Sequence, residues 1–166
     1  MIKVLRPDMY VSSLYKINSD KLYESGIRAL LLDLDNTIIP WGATEFPGKV
    51  VGWLEGLKKK GFKLCVVSNN HVERISMLAE PLDIPFVPNA VKPRRGAFRR
   101  AIKLLGIEKD RAAVIGDQIF TDILGGNRLG LYTILVEPMA RREFIGTKIN
   151  RFFEKFVLKG IRKDQL

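Results

Sequence analysis

The chain has almost none of the residues from which disulfide or soft-metal sites are built. Its one cysteine, Cys65, excludes an intrachain disulfide, and its one histidine, His71, excludes a histidine-rich metal cluster. Cys65 stands in the run F-K-L-C-V-V and reads as a small core residue in a reducing compartment. His71 suits a surface or capping role. No apolar stretch approaches the ~20 residues of a membrane-spanning helix. The N-terminal M-I-K-V-L-R-P-D has no long apolar core of a secretory signal, so the expectation is a cytoplasmic protein. Acidic residues are few: 18 against 28 lysines and arginines, a net charge of +10. That balance calls for an anionic partner, which is a nucleic acid, an acidic membrane surface or a phosphorylated substrate.

What is present is enough for one folded domain over residues 1–166, with 46% hydrophobic residues to fill a core. The positive charge is concentrated. Residues 141–166 hold eight basic and three acidic side chains, half of the net charge, and Lys92 to Lys103 holds six basic and no acidic ones.

The chain turns on A-L-L-L-D-L-D-N-T-I-I-P, residues 29–40. The apolar run reads as a strand buried on both faces, within about Ile27 to Leu34. Asp33 and Asp35 follow at its C-terminal end, where a turning chain can aim both carboxylates into one crevice. Like charges so close require a positive partner, and Mg²⁺ is bound by one or two carboxylates together with substrate phosphate oxygens. The plainer alternative is a turn or helix cap after a strand.

Similar punctuation recurs along the chain. Residues 1–17 read as an irregular lead-in, and Asn18-Ser19-Asp20 caps a short helix through about Glu24. A helix is predicted from Gly48 to about Lys60, with Val50, Val51, Trp53, Leu54 and Leu57 at helical spacing. Trp41, just after the carboxylate run, is either a lip over the site or an aromatic packed against the fold, with packing favoured. A strand over Phe62–Val67 ends in Ser68-Asn69-Asn70, which caps the next helix, about Val72 to Glu80, or donates hydrogen bonds to a phosphate. A short strand over Ile84–Val87 precedes Lys92-Pro93, and a basic helix runs from about Arg95 to Leu105. A strand over Ala112–Ile115 ends in G-D-Q-I-F-T-D, with Asp117 and Asp122 just beyond. Ile123–Leu129 looks helical despite Gly125 and Gly126, and Tyr132–Val136 is a fifth strand. Strand and helix alternate, so the fold class is α/β: a doubly wound parallel sheet of about five strands. Ligands bind such sheets at the strands' carboxyl ends, where Asp33, Ser68, Lys92 and Asp117 all fall.

The tail, about 141–161, carries Ile145, Ile149, Phe152 and Phe156 on one helical stripe, widened by Phe153, Val157 and Ile161. Packing on the protein's own core is the favoured reading. A basic amphipathic helix on an anionic membrane is the alternative.

The four motifs, in order D-L-D-N-T, S-N-N, K-P and G-D-Q-I-F-T-D, resemble those of the haloacid dehalogenase (HAD) superfamily of phosphohydrolases. With P-D-M-Y-V-S-S-L-Y in the lead-in, they resemble its YqeG-type branch, which is related to the mitochondrial phosphatidylglycerophosphate phosphatases. The resemblance implies a Rossmann-like core and a set of roles. Asp33 is the nucleophile that becomes an aspartyl-phosphate, and Asp35 is the acid and base. Thr37 supports the loop and the phosphate site, and Ser68 with Asn69 binds the transferred phosphoryl group. Lys92 holds nucleophile and phosphate together. Asp117 completes a Mg²⁺ site with the Asp33 carboxylate and the Asp35 backbone carbonyl, and Asp122 supports that site. Only 30 residues lie between Thr37 and Ser68, and 23 between Ser68 and Lys92. The predicted helices use nearly all of both, so the site is expected to be capless and open to a large substrate. A lipid headgroup such as phosphatidylglycerophosphate is favoured, with peripheral contact at an anionic membrane. A nucleic-acid end, a phosphoprotein, and a non-catalytic basic binding module are the alternatives. The oligomeric state stays open.

Overall fold

A computed structural model describes residues 3–140, 145–159 and 161, with side chains of the last helix described from 152 onward. Six strands form one parallel sheet in the order β1-β6-β5-β2-β3-β4. They are β1 (Met9–Val11), β2 (Ala29–Leu32), β3 (Lys63–Val67), β4 (Phe86–Val87), β5 (Ala112–Gly116) and β6 (Tyr132–Val136). The helices between them are α1 (Ser19–Glu24), α2 (Gly48–Lys59), α3 (Val72–Ala79), α4 (Arg95–Leu105) and α5 (Leu124–Leu129), with α6 (Ile145–Leu158) at the end. The intervals after β2 and β3 hold α2 and α3 and add no inserted sheet.

The sheet is buried because β2 is apolar at every position. Leu30 and Leu32 face Val50, Leu54, Leu57 and Ile75 of α2 and α3. Ala29 and Leu31 alternate to the other face, against Ala97, Phe98 and Ala101 of α4. All four strand residues are fully buried, so each leucine contributes roughly 1.5–3 kcal/mol of burial. Cys65 lies in the second layer, fully buried as a small core residue. Asn18 caps α1 by accepting the Lys21 N–H at 3.0 Å.

The count of about five strands is corrected to six. The lead-in contributes β1, which pairs with β6 in parallel, Met9 opposite Ile134 and Val11 opposite Val136. Three residues are too few to show a periodicity. Asp8 secures this edge, accepting the Thr133 N–H at 2.8 Å and its hydroxyl at 3.0 Å. Gly125 and Gly126 sit inside α5 because a Cβ there would meet Phe98 at 2.4 Å and Thr133 at 2.7 Å. Contact therefore outweighs helix propensity at both positions.

The predicted tail helix begins within 141–144, outside the described residues. Over 152–158 it packs through Glu154, Val157 and Leu158, and Phe152, Phe153 and Phe156 are exposed. Among the stripe residues whose side chains are described, Phe152, Phe153 and Phe156 therefore face outward, while Val157 and Ile161 are partly buried. Among the described residues, no helix is long and apolar enough to cross a membrane.

Candidate active site

β2 lies between β3 and β5, with Leu32 opposite Val66 on one side and Ile115 on the other. The chain leaves β2 toward β3 and later returns to β5, so the strand order reverses at β2, and its carboxyl end is a topological switch point. Asp33 stands at that point, its N–H donating to Ile115 O at 2.9 Å. Directly after it the chain turns on Leu34, whose carbonyl accepts from the N–H groups of Thr37, Ile38 and Ile39 at 3.1–3.3 Å. Asn36 occupies the left-handed region, with φ of 61°, which asparagine tolerates.

That turn brings Thr37 under the carboxylates. Its fully buried Oγ1 lies 3.3 Å from Asp33 Oδ2 and 3.2 Å from Asp117 Oδ1, so one hydroxyl proton serves two acids. Lys92 is buried, and its Nζ lies 2.5 Å from Asp33 Oδ1 and 2.6 Å from Asp122 Oδ1. Burial works against the lysine charge. The Asp122 and Asp33 carboxylates outweigh it and hold the ammonium above the ordinary lysine range. Burial also pushes the Asp122 carboxyl up, to about 6; Lys92 pulls it down and Asp33 adds to the rise.

Asp122 reaches this position through a single π-helical turn, Ile119–Ile123. Such turns collect at functional sites. Gly116 makes room for it, since a Cβ there would lie 2.3 Å from the Asp122 carboxyl carbon. Asp33, Asp117 and Asp122 offer carboxylate oxygens all within 4.8 Å of one another, each buried. Three buried hard-oxygen donors suit Mg²⁺ or a similar cation, and one lysine offsets only part of their charge. Thr121, on the same turn, has a buried hydroxyl with no partner among the described residues. It lines the same cleft, consistent with a polar ligand there.

The cleft holds about 580 Å³ and is lined by Asp33, Asp35, Trp41, Ser68, Asn69 and Lys92, among others. Ser68 is buried, and its Oγ accepts from the Asn70 N–H at 3.2 Å and Nδ2 at 3.1 Å. Neither bond uses the hydroxyl proton. Asn69 Oδ1 accepts the Lys92 N–H at 2.9 Å and so fixes the loop that carries the lysine. Val91, just before it, sits at φ of 52°, a strained conformation for a β-branched residue.

The Asp35 side chain is not in the acid cluster. It pairs instead with Arg74, Nη2 to Oδ1 at 2.7 Å, and accepts from Asn70 Nδ2. The sequence reading missed Arg74, because an arginine in the first turns of a helix looks solvated. Trp41 is 45% exposed at the cleft wall, which corrects the packed reading. Its backbone N–H donates to Asn36 Oδ1 at 3.2 Å. His71 is exposed on the same wall and precedes α3 without a side-chain capping bond.

A HAD-hydrolase-like family model matches residues 89–138. The chain is 38% identical over 161 residues to the "Probable phosphatase YqeG" of Bacillus subtilis (strain 168), covering 97% of this chain and 94% of that protein. It is 28% identical over 170 residues to phosphatidylglycerophosphate phosphatase 1, chloroplastic/mitochondrial, of Arabidopsis thaliana, with 96% of this chain and 46% of the relative covered. The chain thus spans about half the length of that plant protein. The crystal structure of a HAD family hydrolase from Streptomyces avermitilis MA-4680 shares the fold, with a TM-score of 0.54 at 18% identity over 67% of this chain and 71% of that one. The similarity to YqeG over nearly the whole of both chains shows that this chain belongs to the haloacid dehalogenase-like hydrolases, in the branch of the YqeG phosphatase.

Proposed function

We propose that this phosphatase hydrolyses a phosphomonoester through an aspartyl-phosphate on Asp33, with Mg²⁺ bound by Asp33, Asp117 and the Asp35 backbone carbonyl, supported by Asp122. The observation that carries this reading is the buried cluster of Asp33, Asp117, Asp122 and Lys92, of which Asp33 and Lys92 line an open cleft. An Asp33 carboxylate oxygen attacks phosphorus, the ester P–O bond breaks, and its electron pair leaves with the alcohol oxygen. Asp35 gives that oxygen a proton. Water then attacks the acyl phosphate, Asp35 takes the water's proton, and the bond from phosphorus to the Asp33 oxygen breaks. Inorganic phosphate leaves and Asp33 is restored. Splitting the hydrolysis in two lowers each barrier, and the acid–base step contributes ~10²–10⁴-fold.

Lys92 and the Ser68 hydroxyl bind the phosphoryl oxygens, and Thr37 and Asn69 hold the carboxylates and the lysine loop in register. Bound Mg²⁺ supplies charge compensation as the anionic phosphate approaches the anionic nucleophile.

The substrate we propose is a lipid phosphate, phosphatidylglycerophosphate or a close relative, met at an anionic membrane surface. Three observations support it: the cleft without an inserted cap, the net charge of +10, and the similarity to a plant phosphatidylglycerophosphate phosphatase. The test is Mg²⁺-dependent phosphate release from phosphatidylglycerophosphate in mixed micelles beside an aryl phosphate. Preference for the lipid is expected. Turnover of the aryl phosphate without the lipid would discard the substrate and keep the chemistry.

A further inference from the structure

We propose that the phenylalanine face of α6 docks on an anionic lipid bilayer, and that the opposite edge of the same helix fastens this docking surface to the active-site loop. The inference rests on the lipid-phosphate reading for its purpose, while its evidence lies on the helix itself.

Phe152, Phe153 and Phe156 are 59%, 53% and 58% exposed. They form one patch, with Phe152 in edge-to-face contact with Phe153 at 5.6 Å and with Phe156 at 5.5 Å between centroids. Single exposed apolar residues are ordinary, whereas three large rings packed against one another mark a contact surface.

Charge identifies the occupant. Residues 145–161 contain Lys148, Arg151, Lys155 and Lys159 and a single acid, Glu154. Glu154 is 3% exposed and turned inward, so it removes the one negative charge from the outer surface. Lys155 and Lys159 are exposed beside the rings, and Lys159 Nζ lies 5.9 Å from the Phe156 centroid. Aromatic rings flanked by lysines match the boundary of an anionic bilayer, where rings enter the interface and ammonium groups meet headgroup phosphates. A second copy of the chain would bring like charge against like charge.

The inward edge reaches the chemistry. Glu154 Oε1 accepts the Ile119 N–H at 2.6 Å. Ile119 opens the π turn that carries Asp122, two residues after Asp117. Lys155 and Leu158 share a groove of about 310 Å³ with Asp117. A bilayer held against the phenylalanines thus lies across α6 from the loop that supplies two of the three clustered acids.

The experiment is co-sedimentation of the full chain with vesicles of phosphatidylcholine and phosphatidylglycerol in equal parts, against vesicles of phosphatidylcholine alone. Wild type is expected to sediment only with the anionic vesicles and to be released by salt. Phe152→Glu with Phe156→Glu should abolish binding, and Lys159→Gln should weaken it about 5-fold. All variants should keep wild-type turnover of a soluble aryl phosphate, which confirms their folding. Wild type that ignores anionic vesicles, or variants that bind as wild type does, would overturn the proposal. So would a dimer in light scattering that the glutamates dissolve, or retention on RNA in place of vesicles. The lipid reading fails separately: vesicle binding without turnover of phosphatidylglycerophosphate keeps the docking surface and rejects that substrate.

Discussion

Arg74 Nη2 lies 2.7 Å from Asp35 Oδ1, joining the first turn of α3 to the loop after β2. Asn70 Nδ2 holds the other oxygen of the same carboxylate. The residue proposed to move the proton is thus held from two sides and turned away from the acid cluster. In the proposed mechanism Arg74 is a positioning residue for Asp35. Arg74→Ala is expected to lower kcat on an aryl phosphate by about 10- to 100-fold, the cost of a misaimed group, with KM changed far less. Arg74→Lys should restore part of the loss by supplying one donor. An unchanged kcat in Arg74→Ala would show that Asp35 needs no such support.

Gly116 gives a steric prediction. A methyl group there would fall 2.3 Å from the Asp122 carboxyl carbon, so Gly116→Ala must displace Asp122 from Lys92. Overpacking of this kind costs about 1–3 kcal/mol. We expect a lower Tm and about 100-fold lower turnover, because Lys92 loses one of the two carboxylates that hold its ammonium in place. Isothermal titration should also show weakened Mg²⁺ binding. Wild-type Mg²⁺ affinity in the alanine variant would remove Asp122 from the metal site.

The fold was largely legible because its signals are local. The apolar runs of β2, β3, β5 and β6 are buried on both faces, so they read as unbroken hydrophobic segments. The carboxylates after β2 and β5 stand out because acids are rare at the ends of such runs. What escaped depends on partners distant in sequence. β1 has only three residues and is defined by pairing with β6. The Arg74–Asp35 pair spans 39 positions, and the Glu154–Ile119 contact spans 35. Phe152, Phe153 and Phe156 were expected to pack on the core, and all three are exposed. Which edge turns inward was settled by Glu154, a charged residue at a buried position, which a hydrophobic periodicity cannot foresee.

Cys65 yields a pH prediction with a definite sign. Burial pushes its thiol from 9.0 up to about 12. Between those values the unfolded chain releases a proton that the native chain retains, so rising pH favours unfolding. The stabilising contribution is complete below pH 9 and is lost as pH rises toward 12. Cys65→Ala should therefore flatten the alkaline limb of a Tm-against-pH curve, although the smaller side chain lowers Tm at neutral pH. Native protein should resist a thiol reagent at pH 8 and react once denatured. Prompt labelling of the native chain would contradict the burial of Cys65.

The most direct test of the account is phosphate release from an aryl phosphate by wild type with Mg²⁺, wild type with EDTA, and Asp33→Asn with Mg²⁺. The account predicts turnover in the first case alone. Chelation should abolish activity reversibly, and the asparagine variant should fall by ~10³-fold or more, the scale on which loss of a covalent nucleophile is felt. Activity that survives either Asp33→Asn or complete removal of metal would contradict the proposed aspartyl-phosphate chemistry.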